Sequence, residues 1–231
     1  MAVTSGVRGA TRSGDKSTRP WAAALGALSK VYGQLRRTEG RKKLDLMALA
    51  VLAEERGERA AFRWLEDMSR RFVDWNEVRV ARNRDLAAAV PEVPVERLAR
   101  LQSLLQGMYE LTGGLDVSAL AAMKPSEARA WLGRTEVLSR EETEAVLLIA
   151  LGAPTLPAGE GLARVVRRLG LVPRKATRAQ AHRSAADGLS ADDYRLFYSL
   201  VSEHAATRCR EAKPDCPKCK VRPACKSRGK W

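Results

Sequence analysis

All four cysteines of this chain lie in one stretch near its end, with the spacing C-x6-C-x2-C-x5-C: Cys209, Cys216, Cys219 and Cys225. Four thiolates in so short a loop can enclose a zinc ion or a 4Fe-4S cluster. Two disulfides are the alternative, but they need an oxidising compartment and usually staple shorter chains. A chain of 231 residues, 45% of them hydrophobic, can bury a core without staples. The loop therefore predicts a metal site.

The spacing of the cysteines bears on which metal they hold. Structural zinc sites with four cysteines usually use two C-x2-4-C pairs that lie far apart in sequence. Here only Cys216 and Cys219 form such a pair. The order and spacing of all four, with Pro214, Pro217 and Pro223 among them, resemble the cluster loop of the endonuclease III and adenine glycosylase group of DNA repair enzymes. This resemblance implies a 4Fe-4S cluster as cofactor, with zinc as the alternative.

The charge of the chain points to a polyanionic partner. Its formal net charge is +14, from 41 Lys and Arg against 27 Asp and Glu. A basic excess of this size favours nucleic acid as the partner, although a soluble protein can also be merely basic. No apolar run approaches membrane-spanning length, and the short run Trp21 to Leu28 shows no cleavage site. We expect a cytoplasmic protein, because free thiolates suit a reducing compartment. We further expect it to be a monomer associated with the nucleoid.

The hydrophobic pattern predicts an all-α chain. From Trp21 onward apolar residues recur at helical spacing, and no run alternates as a strand would. The first helix is predicted to end near Gly40, and Val95 to Leu111 carries a clear leucine stripe. Ser139 and Glu142 form a capping box before an apolar run. The chain thus reads as one helix after another.

An all-helical chain with this cysteine loop resembles the endonuclease III-type family, the helix-hairpin-helix DNA glycosylase superfamily. The resemblance extends from about Trp21 to the C-terminus and includes residues 72–79 and the turn 150–155. It implies a two-lobed fold, with a six-helix barrel, an iron-sulfur cluster lobe and double-stranded DNA between them. We divide the chain accordingly into a disordered basic tail (1–20), a first helix packing with the cluster lobe (21–42), a barrel lobe with a degenerate hairpin (43–157) and a cluster lobe (158–231).

The family's chemistry depends on two positions, and this chain departs from both. A lysine after the hairpin forms a Schiff base with the sugar, and an aspartate on a later helix stabilises the reacting sugar or activates the nucleophile. When the chain is aligned on the turn 152–155, the lysine position falls on Glu141 and the aspartate position on Gly159. We therefore predict no standard catalytic residue. Glu160 is a candidate substitute carboxylate, and its alternative is a solvated residue at a helix start.

The hairpin departs from the family pattern as well. In the family it reads Leu-Pro-Gly-Val-Gly followed by a basic residue, and its glycines let backbone N–H groups approach a DNA phosphate. The aligned residues 135–139 contain no glycine. Glu141 and Glu142 suit the start of a helix, but they are predicted to repel a phosphate there.

The remaining signal for DNA is positive charge, concentrated in the cysteine loop. Dense charge of one sign on a metal-held loop favours phosphate contacts, with a solvated basic surface as the alternative. The predicted DNA-contacting residues are Arg140, Arg208, Arg210, Lys213, Lys218, Lys220 and Arg222. Further basic residues that could extend this surface are Arg164, Arg167, Arg168, Arg174, Lys175 and Arg178.

These observations lead to one functional prediction with two alternatives. The prediction is an endonuclease III-like, cluster-containing protein of base excision repair that binds damaged or distorted DNA, with reduced or absent glycosylase and lyase activity. The first alternative is an active DNA glycosylase or apurinic-site lyase that uses non-standard residues. The second is a zinc-stapled basic module that binds nucleic acid.

Overall fold

The computed structural model describes residues 18–33, 38 and 40–228, so the predicted basic tail lies outside it from residue 1 to residue 17. The described residues form helices and contain no strand, as the hydrophobic pattern predicts. The α-helices are α1 (Arg19–Tyr32), α2 (Lys43–Arg56), α3 (Glu58–Arg71), α4 (Trp75–Val80), α5 (Asn83–Ala89), α6 (Val95–Thr112), α7 (Ser118–Ala122), α8 (Pro125–Gly133), α9 (Arg140–Ile149), α10 (Glu160–Leu169), α11 (Arg178–Gly188) and α12 (Tyr194–Thr207).

Helix α2 is the centre around which the other helices pack. Every residue from Leu46 to Ala53 is buried, which requires neighbours on all sides of the helix. Those neighbours are α3, α6, α9 and α12. Within the described ranges, no helix is both long enough and apolar enough to cross a membrane.

Helix α6 shows the predicted leucine stripe and its predicted end. Its buried side chains are Leu98, Leu101, Leu104, Leu105 and Met108. Gly113 closes the helix in the left-handed conformation, with φ of 71°, which glycine adopts without steric penalty. The stripe faces the core, and α4 and α5 pack against this helix.

Helix α1 packs against α12, the last α-helix, through aromatic side chains. The Trp21 ring meets the Phe197 ring of α12 edge-on at 5.9 Å between centroids. The Tyr32 hydroxyl and His204 Nδ1 lie 2.7 Å apart. The helix ends at Tyr32 rather than near Gly40, because Gly33 turns the backbone to a φ of 70°. The prediction of its C-terminal end was therefore wrong.

A buried ion pair also connects helices that are distant in sequence. Arg195 on α12 donates hydrogen bonds of 2.6 and 3.0 Å to the Glu58 carboxylate at the start of α3. Ser199 donates to the same carboxylate. Close by, Glu203 packs over Gly57, where a Cβ would lie 2.5 Å from its Oε2. The start of α3 is thus fixed against the helix that leads into the cysteine loop.

Candidate functional site

Helices α8 and α9 pack against each other across the turn that aligns with the family's hairpin. The connection covers residues 134–139, and Glu136 adopts the left-handed conformation there with φ of 53°. The buried Thr135 packs against α6, because a Cβ on Gly107 would lie only 3.2 Å from its own Cβ. The position of the turn is therefore fixed by the packing of Thr135 against α6, and the turn itself contains no glycine.

The N-terminus of α9 already holds an internal carboxylate. Glu142 accepts a hydrogen bond from the Ser139 N–H at 2.8 Å, and its own N–H donates to Ser139 Oγ at 3.2 Å. This confirms the predicted capping box. The buried Glu142 carboxylate also accepts from Arg97 at 2.7 Å and from Arg100 at 3.2 Å. Its charge is balanced, and it occupies a donor that an external phosphate would otherwise use.

The two positions that align with the family's lysine and aspartate lie in direct contact. Glu141 is in the first turn of α9, and Gly159 is the buried residue that precedes α10. A Cβ added to Gly159 would overlap Glu141 Oε1. The backbone of Gly159 has φ of −75°, which any residue can adopt, so space rather than conformation requires glycine here. The Glu141 carboxylate fills the place of a side chain at position 159.

The surroundings of Glu141 disfavour its charge. Burial raises the pKa of its carboxyl group, and the neighbouring Glu54 on α2 raises it further. Arg178 at the start of α11 opposes this effect, while Glu142 and Glu160 add to it. Tyr198 on α12 is close enough that Glu141 contributes to raising the pKa of its hydroxyl, after burial. Among the described residues, none donates a hydrogen bond or forms an ion pair with Glu141.

Glu160, the candidate substitute carboxylate, has an exposed side chain. Its Oε1 accepts a 2.7 Å hydrogen bond from Arg167, which lies two turns further along α10. The carboxylate is therefore engaged within its own helix. It lies near enough to Glu141 to affect the pKa of that group.

The cysteine loop is fixed to α10 at both ends. At its start, Arg164 Nε donates to the Cys209 carbonyl at 2.9 Å, and Arg168 Nη1 donates to the Arg210 carbonyl at 2.8 Å. At its end, the Ser227 N–H donates to the Arg168 carbonyl at 3.1 Å. Arg164 and Arg168, which the sequence offers as an extension of the phosphate-binding surface, thus hold the loop backbone instead.

The four thiols are free, and those of Cys209, Cys219 and Cys225 lie near enough to Cys216 to affect its pKa. Burial raises the pKa of Cys216 and of Cys219, and Cys209 and Cys225 raise both further, while backbone hydrogen bonds from Val221 and Arg222 lower that of Cys219. In the part of the chain that the structure describes, no three His, Cys, Asp or Glu side chains lie close enough to hold a metal ion. The donor set nevertheless suits a thiolate-bound metal in number and type, since a zinc ion and a 4Fe-4S cluster both take four thiolates.

Comparison with known proteins places this geometry in a known architecture. No protein-family model matches the chain, and no match was found among curated proteins. A trapped covalent intermediate of endonuclease III with DNA, an estranged-adenine complex, superposes with a TM-score of 0.63 at 13% identity, over 91% of this chain and 96% of that one. A non-covalent endonuclease III–DNA complex gives a TM-score of 0.65 at 13% identity over the same shares, 91% and 96%.

A third similar structure is a thermostable thymine-DNA glycosylase, with a TM-score of 0.63 at 14% identity over 94% of this chain and 100% of that one. The chain has the endonuclease III-like, helix-hairpin-helix DNA glycosylase fold. At this level of identity the likeness concerns the glycosylase fold alone, and what the chain does with that fold has to be argued from its own residues.

The residues predicted to contact DNA have exposed side chains in this glycosylase fold. Arg208 is the one among them with an ion pair in the described structure, to Asp215. The others are exposed and extend from the start of α9 and from the cysteine loop: Arg140, Arg210, Lys213, Lys218, Lys220 and Arg222. Six of the predicted contacts, Arg208 included, therefore share one loop, while Arg140 stands at the hairpin.

Several contacts within the site are not suggested by the sequence. Arg97 joins two carboxylates, since it also lies 2.7 Å from Glu54. Glu54, Arg178 and Tyr198 approach Glu141 from three different helices. None of them belongs to a local motif, so only the glycosylase topology brings them together.

Proposed function

We propose that this protein binds damaged or distorted double-stranded DNA as an endonuclease III-like member of base excision repair and lacks the lysine-dependent lyase reaction. The observation that carries the proposal is the contact between Glu141 and Gly159 beside the hairpin. A Schiff base requires an amine, which glutamate lacks, and glycine offers no carboxylate to stabilise the sugar. The standard glycosylase and lyase activities are accordingly reduced or absent.

Binding to DNA is supported by charge and by the fold. Two of the similar structures are complexes of endonuclease III with DNA. The chain carries a formal net charge of +14. Phosphate contacts supply most of the sequence-independent affinity for DNA, and the exposed lysines and arginines of the cysteine loop are suited to make them. The protein acts as a monomer associated with the nucleoid.

We propose that a 4Fe-4S cluster makes the cysteine loop rigid, with zinc as the alternative cofactor. Cys209, Cys216, Cys219 and Cys225 would hold it, since four thiolates of one loop match the ligand set of either metal site. When bound, the cluster supplies a rigid anchor for the loop. The chain's own contribution is the fixation of both loop ends to α10 by Arg164 and by the Arg168 side chain and carbonyl.

The interface can be tested by replacing Lys218, Lys220 and Arg222 together by alanine. Each lost phosphate contact reduces the slope of log affinity against log salt by about 0.9, so three contacts reduce it by about 2.7. The measurement is the dissociation constant for a duplex with one abasic-site analogue, taken at several salt concentrations. Undamaged duplex of the same sequence is measured in parallel.

A control variant of equal charge change is R70A/R82A/R84A on the other lobe. Arg70 forms an ion pair with Asp67, and Arg82 and Arg84 form ion pairs with Asp85. This variant is expected to keep the wild-type slope. Equal losses in both variants would remove the loop from the interface, and failure of the wild type to bind either duplex would refute DNA binding itself.

A further inference from the structure

We infer that helices α2, α3 and α4 form a docking groove for an acidic segment of a partner protein. The groove consists of two apolar cavities, one on each side of Trp75, and of a basic rim; we call it the Trp75 groove. The partner segment presents a large apolar side chain to a cavity and carboxylates to the rim. This role concerns recruitment and goes beyond the proposed binding of DNA.

The first cavity of the Trp75 groove has a volume of about 260 Å³. The apolar side chains that line it are Leu65, Met68, Phe72, Trp75 and Val78. All of these except Trp75 are buried, so the cavity reaches into the core of the fold. At its mouth, Val73 is 94% exposed. An exposed large apolar residue next to an apolar cavity is typical of a surface that binds another protein.

Trp75 separates the first cavity from a second one of about 340 Å³. The apolar side chains of the second cavity are Leu44, Leu115 and Val117. The Trp75 ring is partly exposed and is fixed in position, because its Nε1 donates a 2.7 Å hydrogen bond to Asp45. Tryptophan is among the residues that contribute most to the affinity of protein interfaces. A fixed indole between two apolar cavities is therefore suited to bind the apolar side chain of a partner.

The basic rim of the groove consists of three consecutive cations, Arg41, Lys42 and Lys43. The Arg41 guanidinium lies 4.9 Å from the centroid of the Phe62 ring, and both lysines are exposed. Among the described residues, no carboxylate forms an ion pair with any of the three. Positive charge at the start of a helix opposes the helix dipole, so these cations do not stabilise α2.

The carboxylates that line the groove are already engaged within the protein. Asp45 accepts the hydrogen bond from the Trp75 indole. Asp74 and Asp116 each accept at 2.8 Å from a backbone N–H group further along the chain, and Glu66 has a partner as well. The charged side chains that are left to meet a partner are therefore the cations of the rim. They complement a segment that carries carboxylates next to its apolar side chain.

The Trp75 groove stays accessible when DNA is bound at the hairpin. Asp45 lies in the first turn of α2, and Glu54 lies nine positions further along the same helix. Nine residues of α-helix span about 14 Å. Glu54 is the residue of α2 that approaches Glu141 at the start of α9. The groove is thus at the opposite end of α2 from the hairpin, and a partner can dock there while the protein holds DNA.

The inference is tested by selecting random peptides displayed on phage against the intact protein. The enriched peptides are expected to share a Trp, Phe, Leu or Met with Asp or Glu next to it. Fluorescein-labelled synthetic copies of these peptides are then titrated with the protein, and the dissociation constant is measured by anisotropy.

Two variants determine whether the peptides bind in the groove. K42E/K43E reverses two exposed charges and is expected to weaken binding at least about tenfold. S69W places a large ring at the exposed mouth of the first cavity and is expected to weaken binding similarly, without removal of a core side chain. The control is K218A/K220A/R222A in the cysteine loop, which is expected to keep the wild-type affinity for the peptides.

The indole signals of the tryptophans locate the peptide directly. In ¹H–¹⁵N spectra, the Trp75 signal is assigned by its absence from W75F, and it is expected to shift when a peptide is added. Trp21, which packs edge-on against Phe197, serves as the internal control, and its signal is expected to stay in place.

Other occupants of the groove give different results. Peptides displaced by abasic-site duplex, or weakened by K218A/K220A/R222A, would bind at the DNA interface and overturn the inference. Self-association of the wild type that K42E/K43E abolishes would make a second copy the occupant. A lack of enriched peptides, or enrichment of peptides without carboxylates, would overturn it as well. Failure of the protein to bind DNA would contradict only the proposed function.

Discussion

The double variant E141K/G159D is expected to form a covalent adduct with abasic-site DNA when borohydride is added. It places an amine and a carboxylate at the two positions that the endonuclease III-type family uses, and these positions are in contact here. Burial, the largest of the effects that raise the pKa of Glu141, favours the neutral amine of a lysine in the first turn of α9, whereas Glu54 and the new carboxylate at position 159 favour its ammonium form and hold it in place. The adduct is expected to rise at least about tenfold over the wild-type background.

The single variants complete a double-mutant cycle. G159D alone sets a second carboxylate against Glu141, which destabilises the fold, whereas the double variant pairs the new carboxylate with an ammonium group. The free energy of unfolding should therefore be lower for G159D than for E141K/G159D. Additive effects, or trapping by E141K/G159D no greater than by E141A/G159D, would contradict the assignment of these two positions.

Replacing Cys216 and Cys219 by serine is expected to remove the cofactor. A 4Fe-4S cluster requires four thiolates, so the iron content should fall from about four atoms per chain to near zero, together with the brown colour. The cysteine loop is fixed to α10 at both ends. Loss of the cofactor should therefore also loosen the packing of the loop on α10 and lower the midpoint of thermal unfolding. Metal analysis and visible absorption of protein purified without oxygen provide the measurement.

Lys218→Ser, between the same two cysteines, keeps all thiols and controls for a change in the loop itself. It should retain iron and colour. Stoichiometric zinc in a colourless wild-type protein would contradict the cluster and support the alternative cofactor.

The sequence predicts helices where a stripe of large apolar residues faces the core. The leucines of α6 are of this kind, and their prediction is confirmed. The capping box of α9 is a second local signal, and it is confirmed as well. Helices α5 and α11 show no such stripe, because their buried residues are Leu86 in one and Ala181, Ala185 and Gly188 in the other. Small side chains bury little area, so these helices depend on their neighbours and leave a weak local signal.

The site was predictable only where local spacing defines it. Alignment on one turn suggests Glu141 and Gly159, but not that a carboxylate from one fills the space beside the other. The balance of charge is also a product of the fold. Arg97 reaches Glu142 across 45 positions of sequence, and this pairing neutralises a carboxylate that the sequence presents as repulsive to phosphate. Long-range ion pairs of this kind have no periodicity from which to predict them.

The protein is proposed to bind damaged DNA without lysine-dependent chemistry. The most direct test is borohydride trapping of the wild type on an abasic-site duplex, with binding to the same duplex measured by anisotropy in the same samples. We expect a bound fraction that falls as the salt concentration rises and no covalent band after reduction. A covalent adduct at saturating protein, or an absence of binding at low salt, would contradict it.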